Sequence, residues 1–260
     1  EDGSVYHGVS FGAQQSVAGE VVFNTSMVGY PESLTDPSYR GQILVLTYPL
    51  IGNYGVPESH IVDKLDEWFE SDRVQITGLI VSEYSEHYQH WNAAKSLGQW
   101  LEEHEVPGLY GIDTRLLTKR LREEGTMLGR ILFFNEERMF YDPNKTNLVK
   151  AASVSEPIEY GSGEKKVVLV DCGAKDNIIR CLRRRDLTVK RVPWNYDFSG
   201  EEYDGVMISN GPGDPKMCRE TIDIIRKVME RNKPVFGICM GNQILALAAG
   251  ADTYKLKFGH

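Results

Sequence analysis

The sequence predicts an α/β protein in two parts, an N-terminal α+β domain and a second domain built on a parallel sheet. Short strand-like runs separated by turn residues occupy residues 1–150, whereas strand and helix patterns alternate regularly over 167–260. The stretch between them, 151–166, is rich in Ser, Gly, Pro and charged residues and reads as a linker. Hydrophobic residues at 41% and charged residues at 25% are typical of a globular chain.

Two strands and two helices are predicted in the first domain from apolar runs and from helical spacing. They are strands Glu20–Asn24 and Gln42–Leu46 and helices 91–104 and 113–124. Asp113 or Thr114 is expected to cap the second helix, and Gly125 to end it. We expect Trp91 and Trp100 to be core residues, with a subunit interface as the alternative.

In the second domain, continuous apolar runs predict strands that are buried on both faces. The elements expected in order are strand Val167–Val170, helix 174–185, strand Leu187–Val192, strand Tyr203–Ser209, helix 219–231, strand Pro234–Ile238 and helix 240–249. Residues Thr253–Phe258 alternate like a further strand, and the sequence stops at His260. We therefore expect the chain to be cut inside its second domain.

Arg180 and the arginines after it are expected on a solvated face of the helix 174–185.

Composition excludes several classes of function. The net charge of −8 provides no basic field for a phosphate backbone, so no nucleic-acid partner is expected. No apolar run reaches the roughly 20 residues that a membrane span needs. The four cysteines form no Cys-x-x-Cys pair, and no metal site is predicted. Free thiols and the lack of a targeting signal predict a cytoplasmic protein.

The segment Gly237-Ile238-Cys239-Met240-Gly241 predicts a nucleophile on a sharp turn between a strand and a helix. Glycines on both sides remove side chains that would clash in such a turn. At a helix N-terminus, Cys239 would be stabilised as a thiolate, and the N–H of Met240 could hold a developing oxyanion. The alternative for a cysteine is a small buried hydrophobe, which we expect for Cys172 and Cys181. Cys218 is expected at the surface.

A second motif, Ser209-Asn210-Gly211-Pro212-Gly213-Asp214-Pro215, follows the third predicted strand. It would lie at the same carboxyl edge of the sheet as Cys239, where open parallel sheets bind ligands. By itself the motif is an ordinary turn. Next to Cys239, its backbone N–H groups could instead face a carbonyl or carboxylate group.

Together these two motifs resemble the class I (triad) glutamine amidotransferases. Four segments of the first domain resemble the small, glutaminase subunit of carbamoyl phosphate synthetase: Gly19–Thr25, Gly29–Glu32, Thr35–Tyr39 and Tyr48–Gly55. Asp113-Thr114-Arg115 fits the same subunit. The resemblance covers essentially the whole chain.

The resemblance implies that Cys239 attacks the side-chain amide of L-glutamine, with the N–H groups of Gly211 and Met240 as the oxyanion hole. It also implies that Ser38, Gly213 and Gln243, with Gly211 and Met240, contact glutamine. The ammonia would pass to a large synthetase subunit or a fused synthetase domain. The chain itself is expected to hold no cofactor, with ATP and Mg on that partner, and the product could serve pyrimidine or arginine synthesis.

One departure from the family concerns the general base, a His followed two positions later by Glu. No such pair occurs between Cys239 and His260, so we expect the chain as given to be a poor enzyme. Asn242 stands where many members have His, and we interpret this change as tolerated.

Three alternative functions stay open: an amidotransferase of another synthase, a Gly-x-Cys-x-Gly hydrolase, and a non-catalytic or regulatory partner of a synthetase.

Overall fold

The computed structural model describes residues 1–134 and 136–256. Two compact units make up the chain. The first contains 1–60, 72–143 and the described residues from Lys255, and the second contains 61–71 and 144–254. Among the described residues, no helix is long and apolar enough to cross a membrane.

The first unit is built on a mixed six-stranded sheet. The strands and helices of this unit are β1 (Val9–Ser10), β2 (Val17–Asn24), α1 (Tyr30–Leu34), β3 (Gln42–Leu46), β4 (Leu50–Ile51), β5 (Val56–Pro57), β8 (Gly78–Ile80), β9 (Glu83–Tyr84), β10 (Ala93–Lys95), α2 (Leu97–Glu103), β11 (Gly108–Tyr110), α3 (Thr114–Glu124) and β12 (Met127–Ile131). In the sheet the order is β1-β11-β8-β3-β2-β12. Strands β2, β3, β8 and β11 run parallel, while β1 and β12 pair antiparallel at the two edges. Both predicted strands are present.

Helix α3 follows the sequence prediction closely. The Asp113 carboxylate accepts the N–H of Leu116 at 2.8 Å, and the helix stops at Gly125, whose φ is 101°. The predicted helix 91–104 is wrong over its first six residues. Residues 93–95 form β10, and α2 begins only after Ser96, whose hydroxyl accepts the N–H of Gln99 at 3.1 Å. Trp100 is buried as predicted, but Trp91 lies outside the helix and is 83% exposed.

The second unit contains the predicted parallel sheet. Its strands and helices are β6 (Ile61–Val62), β7 (Leu65–Asp66), α4 (Leu148–Ala152), β13 (Ile158–Tyr160), β14 (Lys165–Asp171), α5 (Asp176–Arg183), β15 (Leu187–Pro193), β16 (Gly205–Ile208), α6 (Arg219–Met229), β17 (Val235–Gly237) and α7 (Met240–Ala248). The order in its five-stranded sheet is β13-β15-β14-β16-β17. The last four are mutually parallel, and β13, which falls in the stretch interpreted as a linker, pairs antiparallel to β15.

Residues 61–71 form a β-hairpin and a following loop that pack within the second unit. Leu65 is 4% exposed and joins the core cluster that contains Leu169 and Ile179. The carbonyl of Glu70 accepts the N–H of Asp176, the first residue of α5, at 2.9 Å. The hairpin therefore supplies both apolar contact and a hydrogen-bond acceptor to a helix more than 100 residues later in the chain.

Candidate active site

Cys239 lies on a strained turn between β17 and α7. It is the residue before α7, its backbone has φ 50° and ψ −108°, and its side chain is exposed. A positive φ in a non-glycine residue costs about 1–3 kcal/mol and is held only where the surrounding structure enforces it. The sequence predicts this strained elbow, and the structure contains it.

The glycines on either side of Cys239 allow the turn to be this tight. A Cβ atom on Gly237 would lie against the backbone of Gly241 and 2.5 Å from the nitrogen of Asn242. A Cβ atom on Gly241 would meet the carbonyl group of Ile208, at 2.6 Å from its carbon. Neither position can hold a side chain unless backbone moves, since the two nearest atoms in each case are backbone atoms.

Two backbone hydrogen bonds attach the elbow to β16 and to the loop 209–213 that follows it. The N–H of Ile238 donates to the carbonyl of Ile208 at 2.9 Å, and the N–H of Gly241 donates to the carbonyl of Ser209 at 3.0 Å. The Gly-x-Cys-x-Gly and Asn-Gly-Pro-Gly motifs are thus neighbours at the carboxyl edge of the sheet. The two residues whose N–H groups are predicted to bind the oxyanion, Gly211 and Met240, follow the ends of the adjacent strands β16 and β17.

The loop 209–213 is packed closely against the residues after β14. A Cβ atom on Gly211 would lie 2.8 Å from the carbonyl carbon of Cys172 and closer still to its oxygen. Gly213 has φ 84° and faces Leu148. Within the described residues, the N–H groups of Gly211 and Met240 donate to no protein acceptor. Both remain available to an oxygen of a ligand.

The remaining predicted glutamine contacts fall in different places. Gln243 is exposed on the first turn of α7, and its N–H donates to the carbonyl of Cys239 at 3.2 Å. Ser38 belongs to the first unit, in a 3₁₀ turn over Pro37–Tyr39, where its N–H donates to the Asp36 carboxylate at 2.9 Å. The structure therefore groups Gln243 with the elbow and describes Ser38 within the other unit.

The other three cysteines differ from Cys239 in their exposure. Cys172 is buried as predicted, and burial raises its pKa well above the usual value for a thiol. Cys218 was expected at the surface, but it is fully buried in the core at the residue before α6, and burial raises its pKa to about 12. Cys181, expected to be buried, is half-exposed. Cys239 is the only one of the four thiols that is exposed.

A buried charged cluster, absent from the sequence prediction, lies at the ends of β14 and β15. The Asp171 carboxylate accepts the N–H groups of Gly173 at 2.9 Å and Ala174 at 2.7 Å, and it pairs with Arg191 at 2.8 Å. Arg191 also reaches Asp176 at 3.5 Å. Burial raises the pKa of Asp176 to about 7. The signal in the sequence was an Asp directly after a buried strand, which fixes the loop that follows.

Arg180 is also more buried than a solvated face requires. Its guanidinium donates to the carbonyl of Phe69 at 3.0 Å and to the Glu70 carboxylate at 3.3 Å, so it holds the 61–71 segment. The expectation of a solvated arginine was wrong here because its partners come from a distant part of the chain.

The described residues contain neither the predicted last strand nor a histidine after Cys239. Residues 253–256 have no regular structure, and the rest of the predicted strand, with His260, lies outside the described residues. In the sequence, His260 is the only histidine after Cys239. No group of three or more His, Cys, Asp or Glu side chains suited to a metal ion occurs in the described part of the chain.

Two family models match the chain. Residues 1–131 match the carbamoyl-phosphate synthase small chain, CPSase domain, and residues 168–260 match glutamine amidotransferase class-I. These matches confirm the predicted fold class and the resemblance stated from the motifs.

Curated relatives match over the whole chain. Multifunctional protein CAD of Squalus acanthias is 52% identical over 267 residues, and the match covers 12% of that protein. "Carbamoyl-phosphate synthase [ammonia], mitochondrial" of Homo sapiens is 51% identical over 265 residues, with 18% covered. Multifunctional protein URA2 of Saccharomyces cerevisiae is 48% identical over 297 residues, with 13% covered. The chain therefore spans less than a fifth of each of these relatives.

Proposed function

This chain belongs to the carbamoyl-phosphate synthase small-chain family and has a class I glutamine amidotransferase domain; from that premise we propose that it hydrolyses L-glutamine through Cys239 and supplies the ammonia to a carbamoyl-phosphate synthetase. The observation that carries the proposal is the elbow itself. An exposed cysteine holds a strained φ of 50° at the start of a helix, next to a loop in which the Gly211 N–H has no protein acceptor among the described residues. Strain of this kind is retained where function requires it.

In the proposed reaction, the Cys239 sulfur attacks the side-chain carbonyl carbon of glutamine and the carbonyl oxygen becomes an oxyanion. The N–H groups of Gly211 and Met240 stabilise that oxyanion, and removing one such donor typically lowers kcat by about 100- to 1000-fold. Collapse of the adduct breaks the C–N bond, and the proton that the Cys239 thiol gave up is transferred to the nitrogen, which leaves as ammonia. Water then cleaves the thioester to glutamate and restores the thiol. The positive end of the α7 dipole favours negative charge on the sulfur.

Substrate recognition is proposed to involve the residues that the family resemblance implies. Gly213 and Gln243 flank the elbow in the second unit, and Ser38 is the proposed contribution of the first unit. The backbone at position 213 has a φ of 84°, which glycine adopts without strain. Its backbone could approach the amino-acid end of the ligand without a side chain in between.

The partner is proposed to be a synthetase, either a separate large subunit or a domain of the same polypeptide. The relatives are several times longer than this chain, which supports a synthetase region beyond the part matched. ATP and Mg are proposed to bind on that partner and not on this chain.

The carbamoyl phosphate is proposed to serve pyrimidine synthesis, which the names of the multifunctional relatives support, or, as the second candidate, arginine synthesis. A cytoplasmic location remains a prediction, supported by the absence of disulfides among the described cysteines.

The test uses the intact polypeptide that contains this chain. A glutamine-derived chloroketone should label Cys239, and the adduct is located by mass spectrometry. Glutamine should protect against labelling, and Cys239→Ser should abolish glutamine hydrolysis while synthesis from free ammonia persists. Cys181→Ser, which removes the half-exposed cysteine, is the matched control and should behave as the wild type. Labelling at Cys181 instead, or undiminished glutamine hydrolysis in Cys239→Ser, would exclude the mechanism.

A second candidate is a non-catalytic partner of a synthetase. The name of the human relative, "Carbamoyl-phosphate synthase [ammonia], mitochondrial", contains ammonia and not glutamine. This supports the second candidate, in which the chain does not hydrolyse glutamine. Normal synthesis from ammonia with no glutamine hydrolysis in the wild-type protein would support this candidate. The match over residues 1–131 argues against an amidotransferase of a different synthase.

A further inference from the structure

The hydroxyl group of Ser209 lies at the point where three loops of the second unit meet. Ser209 follows β16 and is fully buried. Its backbone carbonyl accepts the N–H of Gly241 in the elbow. Its side-chain oxygen accepts the N–H of Cys172, after β14, at 2.9 Å, and contacts the carbonyl oxygen of Asn210 at 2.7 Å. One serine thus connects the elbow, the loop after β14 and the loop 209–213.

Chemistry fixes the direction of these bonds. The Cys172 nitrogen can only donate, so the Ser209 oxygen accepts that bond and its single proton is left for the Asn210 carbonyl. The Asn210 carbonyl and the Gly211 N–H belong to one planar peptide group, and in a trans peptide they point in opposite directions. Fixing the oxygen on the buried side therefore directs the Gly211 N–H to the other side, where it has no protein acceptor within the described residues.

We propose that Ser209 is a positioning residue that orients and polarises the Gly211 N–H as an oxyanion donor. This inference rests on the proposed glutaminase function. The bonds form a continuous chain, from the Cys172 N–H through the Ser209 hydroxyl to the Asn210–Gly211 peptide. Hydrogen bonds in such a chain strengthen one another, so the Gly211 N–H becomes a better donor as well as a better oriented one.

The loop that carries Cys172, the first donor in this series of hydrogen bonds, is itself held in place. The Asp171 carboxylate binds the N–H groups of Gly173 and Ala174, which fixes the loop that carries Cys172. The Lys175 N–H donates to the side-chain oxygen of Asn210 at 3.1 Å, so the two loops are joined at a second point. The loop after β14 therefore acts on the oxyanion donor through Ser209 and contains no proposed catalytic group.

The test compares Ser209→Ala and Ser209→Cys with wild type in the intact polypeptide. A positioning role predicts that kcat for glutamine hydrolysis falls about 10- to 100-fold while KM is little changed, because the donor acts on the transition state. In alkylation by iodoacetamide, the Cys239 sulfur attacks the tetrahedral CH2 carbon and displaces iodide, so no oxyanion develops and the reaction should proceed at the wild-type rate. Ser209→Cys keeps a side chain of similar volume but donates only a weak hydrogen bond. It therefore tests the loss of the same hydrogen bond if Ser209→Ala fails to fold.

Thr221→Val is the matched control. The Thr221 hydroxyl is equally buried and donates to the carbonyl of Trp194 at 2.7 Å, away from the elbow, so its loss should leave kcat, KM and alkylation unchanged. A wild-type kcat in both Ser209 variants overturns the proposal. A parallel change in kcat, KM and alkylation also overturns it, because it indicates general disruption of the site. Full activity in Cys239→Ser would instead reject the proposed function itself.

Discussion

Replacing Gly241 with alanine tests how closely the elbow is packed against the sheet. The added Cβ atom would lie 2.6 Å from the carbonyl carbon of Ile208. That group is backbone of β16, which pairs with β14 and β17, so it cannot rotate away. To reach ordinary contact near 3.4 Å from that carbon alone, α7 would have to move by about 0.8 Å, and the Ile208 oxygen, which lies closer still, requires a larger movement. This movement stretches the 3.0 Å bond from the Gly241 N–H to the carbonyl of Ser209.

The expected magnitude follows from these two effects. Overpacking costs about 1–3 kcal/mol and the weakened hydrogen bond about 1 kcal/mol, so the free energy of unfolding should fall by about 2–4 kcal/mol. A shift of this size at the nucleophile should lower kcat for glutamine hydrolysis about 100-fold. Urea denaturation and a glutaminase assay measure the two quantities.

Gly200→Ala is the control for this substitution. A Cβ atom on Gly200 meets no atom within 4 Å, and its backbone does not have a positive φ, so its effect on stability should stay within about 0.5 kcal/mol. The packing argument is refuted if Gly241→Ala unfolds at the same urea concentration as Gly200→Ala and hydrolyses glutamine at the wild-type rate.

Three further predictions concern a helix cap, a buried carboxyl group and thiol exposure. Asp113→Ala removes the acceptor at the start of α3 and should lower the free energy of unfolding by about 1 kcal/mol, whereas Asp113→Asn should lose little in the same urea titration. Because burial raises the pKa of Asp176 to about 7, the folded state holds this proton after the unfolded chain has released it. Stability should therefore fall as the pH rises from about 4 to about 7, relative to Asp176→Asn; parallel pH profiles would contradict this. In the native protein, iodoacetamide should modify Cys239 much faster than the buried Cys172, as peptide mapping would show, and equal rates would contradict the burial.

Local features of the structure could be predicted from the sequence. The Asp113 cap and the Gly125 stop are set by residues within one helix, and the elbow is set by glycines two residues either side of Cys239. The parallel sheet follows from apolar runs that alternate with helices. In each case the interacting residues are close in the chain, or the pattern repeats regularly.

Features that depend on distant residues were missed. Nothing near Arg180 in the sequence indicates that it binds the carbonyl of Phe69, and the spacing around Trp91 did not reveal that Ser96 begins the helix. The hydroxyl of Ser209 was visible only as part of a turn motif. Its bonds to two other loops depend on which strands become neighbours, and that is decided by the whole sheet.

The hairpin at 61–71 has a consequence for how the chain folds during synthesis. A ribosome completes these residues about a hundred positions before α5, whose first N–H group binds the carbonyl of Glu70. Leu65 therefore stays without its final neighbours, Leu169 and Ile179, until most of the chain has emerged. A gene fragment that starts at residue 144 would encode the five-stranded sheet but lack a piece of its core, and we expect it to be less soluble than a fragment that keeps the hairpin.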